Sequence, residues 1–255
     1  MRLRVLGCHG GESPSHRPAS FLVDDTLLLD AGAVTRSLGL GDQARIDFVF
    51  VSHSHIDHVR DLPLLCDNVA ARRKKPVTLI ASHATADALE RHVFNGVLWP
   101  DFTRIPSPES PILAVRPVAA GEKLAAGGHE IELVAVDHTV DAHAVVVRGK
   151  AGTLAYTGDT GPTTALWKTL GDTPRLRAVI CEVSFPDELQ ELALASKHLT
   201  PKLLAAELEK LPAASAVPIL VAHVKPGHDE AIRAQLAALG DPRIRVLRLL
   251  EEIDL

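Results

Sequence analysis

The string His53-Ser54-His55-Ile56-Asp57-His58 constrains the fold more than any other part of this 255-residue chain. It follows, after Ser52, residues 48–51, a β-branched and aromatic run that is typical of a buried strand. Imidazole and carboxylate groups crowded at a strand end would leave several polar atoms unpaired unless a cation binds them. The string therefore predicts a metal site, large enough for two ions, for Zn²⁺, Mn²⁺ or Fe²⁺.

Three further potential ligands each follow a predicted strand in the second half of the chain: His138, Asp159 and His223. One edge of a sheet can gather side chains from distant segments, so we expect these residues to join the string. Gly158 lets the backbone turn sharply just before Asp159, which suits that carboxylate to a bridging position.

Short strands and turns fill the first part of the chain, and helices alternate with strands in the second. The predicted strands are Arg2–Leu6, Phe21–Val23, Leu27–Asp30, Phe48–Val51, Val77–Ala81, Ile112–Arg116, Ile131–Val136, Ala144–Val147, Leu154–Tyr156, Ala178–Cys181, Ile219–Ala222 and Ile244–Leu247. The predicted helices are one starting at Ser82, then Thr163–Leu170, Glu188–Ala195, Pro201–Leu211 and Asp229–Leu239, with Trp99–Pro111 irregular.

No Gly/Ser linker or fixed-period repeat divides the chain, which predicts one domain over residues 1–255. The pattern favours an α/β fold in which two mixed β-sheets pack face to face with helices outside, an αββα sandwich. Periodicity alone also fits a doubly wound sheet.

Amino-acid composition indicates which partners the chain can bind and in which compartment we expect it. Lys plus Arg number 27 against 32 Asp plus Glu, a net charge of −5, which argues against binding long nucleic acid by bulk electrostatics. A small anionic substrate needs only a local positive site. Cys8, Cys66 and Cys181 lack the paired spacing of a disulfide framework, and no apolar run approaches the ~20 residues of a membrane span. We expect a cytoplasmic protein without membrane contact, with Cys66 in the core and Arg72–Lys75 on the surface.

The complete set of motifs resembles the metallo-β-lactamase-fold hydrolases over nearly the whole chain. Within them, "VSHSHIDHV", "DHTVDAH", "YTGDTGP", "CEVSFP", "SKHLTP" and "AHVKP" are similar to the class II cyclic-nucleotide phosphodiesterases. The resemblance implies two divalent ions, one held by His53, His55 and His138, the other by Asp57, His58 and His223, with Asp159 bridging. It also implies that Asp30 supports the site by hydrogen bonds without ligating.

Three other residues outside the ligand set carry expected roles. The segments around Glu182 and His198 resemble the phosphodiesterase branch that includes tRNase Z, which implies that Glu182 orients a non-ligating His198 near the leaving group. The alternative is that Glu182 merely ends a strand and His198 precedes a helix cap. His143 stands where relatives commonly have a small residue, so it is a candidate substrate-binding residue, with packing as the alternative. Asp57 is counted with Glu182 and His198 among the catalytic residues as well as among the ligands.

The function implied by this resemblance is hydrolysis of 3′,5′-cyclic nucleotides, such as cyclic AMP, to nucleoside 5′-monophosphates. Hydroxide generated at the metal pair would attack phosphorus, and His198 would protonate the departing 3′ oxygen. The second reading is a tRNA 3′-processing phosphodiesterase, which should carry a basic RNA-binding arm that the sequence lacks. A thioester or lactam hydrolase of the same fold is a third hypothesis, but such an enzyme has no need of Glu182 and His198. A metal-binding scaffold is the non-enzymatic alternative. A homodimer is compatible with the resemblance.

Overall fold

The structure is a computed structural model that describes residues 1–212 and 216–255. Its strands are β1 (Arg2–Gly7), β2 (Ser20–Val23), β3 (Leu27–Leu29), β4 (Phe48–Phe50), β5 (Val77–Ala81), β6 (Pro106–Ser107), β7 (Ser110–Pro111), β8 (Leu113–Pro117), β9 (Lys123–Ala126), β10 (His129–Ala135), β11 (His143–Arg148), β12 (Thr153–Tyr156), β13 (Leu176–Glu182), β14 (Ile219–Ala222), β15 (Ile244–Val246) and β16 (Glu252–Asp254). Its helices are α1 (Val34–Ser37), α2 (Leu40–Gln43), α3 (Ile56–Val59), α4 (Leu62–Ala70), α5 (His83–His92), α6 (Ala165–Gly171), α7 (Gln190–Ala195), α8 (Pro201–Leu208) and α9 (Asp229–Ala238), with a 3₁₀ turn at Asp187–Leu189.

The strands form two large mixed sheets of seven strands each. The first sheet has the order β16-β1-β2-β3-β4-β5-β8, and the second has the order β15-β14-β13-β12-β11-β10-β9. In the first sheet the pairs from β3 to β8 are parallel, and in the second the pairs from β12 to β15 are parallel. The remaining pairs in each sheet are antiparallel. With helices flanking these sheets, the predicted α/β sandwich of two mixed sheets is confirmed.

Alternating side chains along the strands build three apolar layers. In β11, Val145 and Val147 pack into a cluster shared by both sheets, whereas Ala144 and Val146 pack into a second cluster with α6, α8 and α9. Strand β2 alternates in the same way, since Phe21 and Val23 join the shared cluster, whereas Leu22 joins a third cluster with α1, α3, α4 and α5. Strands buried on both faces explain why these runs are continuously apolar.

The elements that sequence patterns did not predict are short or lie at sheet edges. Strand β9 alternates exposed and buried residues, but its Lys-Leu-Ala-Ala sequence has weak β propensity, so pairing with β10 decides it. Strand β16 and helices α1 to α3 are each too short for a periodic signal, and the segment predicted to be irregular before β8 contains the small β6–β7 hairpin. Helix α4 was missed although its buried residues Leu62, Leu65, Cys66 and Val69 have helical spacing. In the described part of the chain, no helix is long and apolar enough to span a bilayer.

The sheet order places the chemistry-bearing loops together. Loops after β3 and β4 of the first sheet, and after β10, β12, β13 and β14 of the second, carry the residues singled out in the sequence. Carboxyl ends of parallel strands share one edge of a sheet, and contacts from His58 to Asp159 and from Tyr156 to Asp30 place the two edges at the same end of the sandwich.

Burial between the two sheets should dominate stability. Leu154 is 0% exposed and packs in the cluster shared by both sheets, whereas Leu98 is 65% exposed. Leu154→Ala removes buried methyl groups and leaves a cavity, so the free energy of unfolding should fall by about 2–5 kcal/mol. Urea denaturation measures this value. The matched control Leu98→Ala should stay within about 0.5 kcal/mol of the unsubstituted protein, and equal losses in the two variants would contradict the layered packing.

Candidate active site

A compact cluster of imidazoles and carboxylates lies where the two sheets deliver their loops. The Oδ2 atom of Asp159 lies 3.3 Å from His58 Nε2, 3.2 Å from His223 Nε2 and 3.8 Å from His53 Nε2. His53 and His58 follow β4 of the first sheet, while Asp159 and His223 follow β12 and β14 of the second. The cluster therefore requires both sheets, and Asp159 lies between the histidines that follow β4 and the histidine that follows β14.

The predicted ligands fall into two groups. His53, His55 and His138 each offer a ligand atom within 4.8 Å of the others, with His138 Nε2 lying 3.2 Å from His55 Nδ1. A second group of the same compactness consists of Asp57, His58 and His223. Other combinations, such as His53 with His58 and Asp159, are equally compact, so the structure brings the predicted ligands together while their division between two ions stays a prediction.

Hydrogen bonds set the tautomer of two histidines in the first group. Ser52 Oγ donates its proton to Asp30 at 2.8 Å, so its lone pair is free to accept Nδ1–H of His53 at 3.0 Å. His138 donates its Nδ1–H to the backbone oxygen of Lys197 at 3.1 Å. In both rings the proton lies on Nδ1, which leaves Nε2 unprotonated and facing the cluster.

In the second group, carboxylate and serine side chains also hold Nδ1 of both histidines. His58 donates Nδ1–H to Asp30 Oδ2 at 2.7 Å. Ser184 Oγ donates to Glu182 Oε2 at 2.8 Å and accepts Nδ1–H of His223 at 2.9 Å. Nε2 of each ring again faces inward, and the two Nε2 atoms lie 3.3 Å apart.

Asp30 orients the first-sheet side of the cluster without pointing into it. Its fully buried carboxylate accepts hydrogen bonds from the Ser52 backbone at 2.7 Å, from Ser52 Oγ, from His58 and from Tyr156 Oη at 2.6 Å. The backbone of Asp30 is left-handed, with φ 55°, and His223 shares this conformation with φ 63°. Left-handed residues other than glycine collect at functional sites, where the surrounding structure supports the strain.

The residues of the cluster fit divalent cations. His53 Nε2 and Asp159 Oδ1 are buried and have no hydrogen-bond partner among the described residues. Leaving such atoms unpaired costs free energy, and a bound cation would satisfy both. Neutral imidazole and carboxylate are the ligands of Zn²⁺, Mn²⁺ and Fe²⁺.

Burial and neighbouring charges adjust the protonation of the cluster. Burial lowers the pKa of His53, His55 and His138, which keeps these rings neutral, the form that binds metal. Burial also opposes ionisation of Asp159, but the charges of His223 and His58 outweigh it and hold the carboxyl pKa well below its usual value. Asp159 is therefore an ionised carboxylate.

A carboxylate–imidazole pair lies against this cluster. Glu182, at the end of β13, accepts Nδ1–H of His198 at 2.8 Å and the backbone N–H of Thr160 at 3.1 Å. The His198 ring stacks on that of His223, with centroids 5.4 Å apart. Burial lowers the pKa of His198, but the Glu182 carboxylate more than compensates and raises it above the usual value. With Nδ1 held by Glu182, Nε2 remains to exchange protons with a ligand.

His143 lies outside these contacts. Its backbone N–H donates to Ser52 O at 3.0 Å, and its Nδ1 lies 3.6 Å from Asp141 Oδ2. Gly158 packs closely against Ser52 and the His143 backbone. A Cβ at this position would lie 2.9 Å from Ser52 Cβ and 3.3 Å from His143 O. A substrate contact of His143 therefore stays a prediction.

Sequence reasoning missed the residues that hold the rings in place. Ser52 borders the histidine string, and Ser184 follows Glu182 by two positions, so adjacency was the available signal. Tyr156 precedes the Gly-Asp turn and reaches Asp30 from the opposite sheet, a contact without any local signal.

Comparisons with known proteins agree with this geometry. The chain is 26% identical over 275 residues to a probable 3′,5′-cyclic-nucleotide phosphodiesterase of Yersinia pestis, covering 89% of this chain and 78% of that protein. It is 28% identical over 301 residues to ribonuclease Z of Pyrobaculum calidifontis, covering 95% and 93%. The crystal structure of unliganded yeast PDE1 superposes with a TM-score of 0.82 at 18% identity and 98% coverage of both chains.

The family model described as the beta-lactamase superfamily domain matches residues 25–219, which include the histidine string, His138, Asp159 and the Glu182–His198 pair. The similarity to phosphodiesterases of the metallo-β-lactamase fold, which the motifs indicated, is thereby confirmed. This chain belongs to the beta-lactamase superfamily domain family.

Proposed function

We propose that the chain is a metal-dependent phosphodiesterase that hydrolyses 3′,5′-cyclic nucleotides, such as cyclic AMP, to nucleoside 5′-monophosphates. The Glu182–His198 pair beside the ligand cluster is the observation that carries the proposal. A leaving alkoxide needs a proton, and a buried imidazole whose pKa is raised by a carboxylate can supply it.

In this proposal the seven ligands hold two divalent ions, preferably Zn²⁺, with Mn²⁺ or Fe²⁺ as alternatives. The ligands are His53, His55, Asp57, His58, His138, Asp159 and His223. Such a pair, when bound, makes water acidic enough to act as a nucleophile near neutral pH and balances charge on phosphoryl oxygens. The chain's own contribution is to aim the ligand atoms, since Asp30, Ser52 and Ser184 hold Nδ1 of three rings.

His198 acts on the leaving group. As the bond between phosphorus and the 3′ oxygen breaks, that oxygen takes a proton from Nε2 of His198. The Nδ1–H group of the same ring stays hydrogen-bonded to Glu182. The positive charge of the protonated ring is stabilised beforehand by Glu182, which is 1% exposed and therefore poorly screened by water. Water supplies the oxygen that phosphorus gains and the proton that restores His198, so the product is a 5′-monophosphate with a free 3′ hydroxyl.

A tRNA 3′-processing activity is the second candidate, favoured by the similarity to ribonuclease Z over most of both chains. The net charge of −5 argues against it, because an enzyme that grips long RNA needs extended positive surface. Incubating the zinc-loaded protein with cyclic AMP and, separately, with a precursor tRNA distinguishes the two. Rapid cleavage of the precursor with cyclic AMP left intact would overturn the proposal.

Replacing the proton donor should reduce turnover without removing metal. His198→Ala deletes the imidazole, so kcat for cyclic AMP should fall by roughly 10²–10⁴-fold, the usual contribution of general acid catalysis. The zinc content of the purified variant should equal that of the unsubstituted protein. His92→Ala, on the exposed side of α5, is the matched control and should retain full activity. Unchanged turnover in His198→Ala would remove this residue from the mechanism.

Replacing the central carboxylate should instead remove metal. Asp159→Ala deletes the group that contacts both sets of ligands, so metal affinity should fall by more than the roughly 10–100-fold seen when a residue supporting a ligand is lost. Elemental analysis after dialysis measures the loss. The control is Asp172→Ala, an exposed carboxylate after α6. Full occupancy in Asp159→Ala would contradict the bridging role.

A further inference from the structure

A second group of potential ligands lies outside the cluster. His9, His16 and Asp229 each offer a ligand atom within 4.8 Å of the others, and all three are half-buried. His9 and His16 lie in the loop between β1 and β2, whereas Asp229 begins α9. None of the three belongs to the seven proposed ligands.

The geometry of this group repeats that of the cluster. The rings of His9 and His16 are 4.6 Å apart at 79°, and those of His53 and His55 are 4.6 Å apart at 78°. Nε2 of His16 lies 3.1 Å from Asp229 Oδ2. Two atoms that each lie about 2 Å from the same tetrahedral ion are separated by about the distance found here between His16 Nε2 and Asp229 Oδ2.

Outer contacts also hold the rings as they do in the cluster. Nδ1 of His16 is hydrogen-bonded to Ser13 Oγ, in the manner of the serine contacts to His53 and His223. Nδ1 of His9 contacts the Arg17 backbone, with the Arg17 N–H at 3.1 Å and the Arg17 carbonyl at 3.3 Å, so Nε2 is the ring nitrogen left for an ion. Burial lowers the pKa of His9, favouring the neutral ring.

We propose that His9, His16 and Asp229 bind an additional divalent cation of the zinc type. Three protein ligands leave one tetrahedral position for water, consistent with half-exposed residues. The ion would join the loop after β1 to α9. Its effect is structural, because binding to the folded state alone stabilises that state.

Metal content tests the site without reference to activity. The protein is saturated with Zn²⁺, freed of loosely bound metal by gel filtration, and analysed for zinc per chain. His16→Ala and Asp229→Asn should each hold about one equivalent less than the unsubstituted protein, because a ligand is lost. His92→Ala is the control and should hold the full amount. Asp229→Asn keeps the side-chain volume, so it decides the test if His16→Ala fails to fold.

The same measurement separates this site from the cluster. Asp159→Ala should keep the equivalent that depends on His16, so the double variant Asp159→Ala/His16→Ala should hold less zinc than Asp159→Ala. Added Zn²⁺ should also raise the Tm of Asp159→Ala more than that of the double variant. Equal zinc content in the unsubstituted protein, His16→Ala and Asp229→Asn would overturn the site.

A separate observation concerns the cations beside the cluster. Arg60, Lys197 and Lys225 each lie within two residues of a cluster or catalytic histidine. Arg60 Nε contacts a carboxylate at 3.1 Å, and Lys197 Nζ contacts another at 2.7 Å. Across residues 1–212 and 216–255, no carboxylate pairs with Lys225. Its charge is therefore not neutralised by an acidic side chain.

The ammonium of Lys225 is held near the proton donor. Nζ donates to Gly10 O at 3.3 Å and lies 5.6 Å from the centre of the Phe185 ring. Phe185 in turn packs edge-on against His198, with centroids 5.8 Å apart. A carbonyl and an aromatic face attract the ammonium without neutralising it, and the carbonyl occupies one of its three N–H donors.

We infer that Lys225 binds a phosphoryl oxygen of the substrate, an inference that rests on the proposed function. The chain is acidic overall, and Asp57, Asp159 and Glu182 add negative charge at the site. Besides the charge that the two ions would supply, a partly buried ammonium near His198, with no acidic partner among the described residues, offers the phosphate a further positive hydrogen-bond donor.

Phosphate binding tests this assignment directly. Lys225→Met removes the charge while retaining much of the side-chain bulk, and Lys168→Met, on exposed α6, is the matched control. Isothermal titration of the zinc-loaded proteins with inorganic phosphate should show about 10- to 100-fold weaker binding in Lys225→Met only, the usual effect of losing a charge-assisted hydrogen bond. Lys225→Arg should restore part of the affinity, and zinc content should stay constant.

Kinetics separates this inference from the proposed function. With cyclic AMP, Lys225→Met should raise KM by a similar factor and change kcat less. Weaker phosphate binding in a protein that does not hydrolyse cyclic AMP would uphold the subsite and refute the proposed function. Unchanged phosphate affinity together with an unchanged KM would refute the subsite and leave the proposed function standing.

Discussion

The buried carboxylate of Asp30 is the constraint on which the rest of the site depends. It joins Ser52 and His58 of the first sheet to Tyr156 of the second through short hydrogen bonds in a region closed to water. A carboxylate so placed is tolerable only while all its donors stay in position, because each lost donor leaves a buried charge poorly compensated. The packing of the two sheets and the orientation of the ligands therefore depend on the same hydrogen bonds.

A similar hydrogen-bond network lies on the second sheet. Ser184 donates a hydrogen bond to Glu182 and accepts one from His223, so the same glutamate that holds His198 also influences a cluster histidine. Proton donor and ligand share one hydrogen-bond network, and a change at Glu182 reaches both. The proposed proton transfer and the proposed metal binding are coupled through Ser184.

Much of the fold and candidate site could be predicted from local sequence. Runs such as Val77–Ala81 have strong β propensity, and the ligands follow strands whose apolar character is evident. The short helix α1 and edge strand β16 could not be predicted, because their few residues carry no periodic signal and tertiary contacts decide them. The domain extent and the role of His143 remain predictions.

The available chemistry can be read from the spacing of the histidine string, the residue types that follow each strand, and the acidic balance of the chain. Three contacts depend instead on folding: Tyr156 reaches Asp30, Lys225 lacks an acidic partner within the described residues, and His16 meets Asp229. The reason is physical. Local pattern reports side-chain type and strand direction, whereas the distance between residues 213 positions apart depends on how the sheets and helices pack.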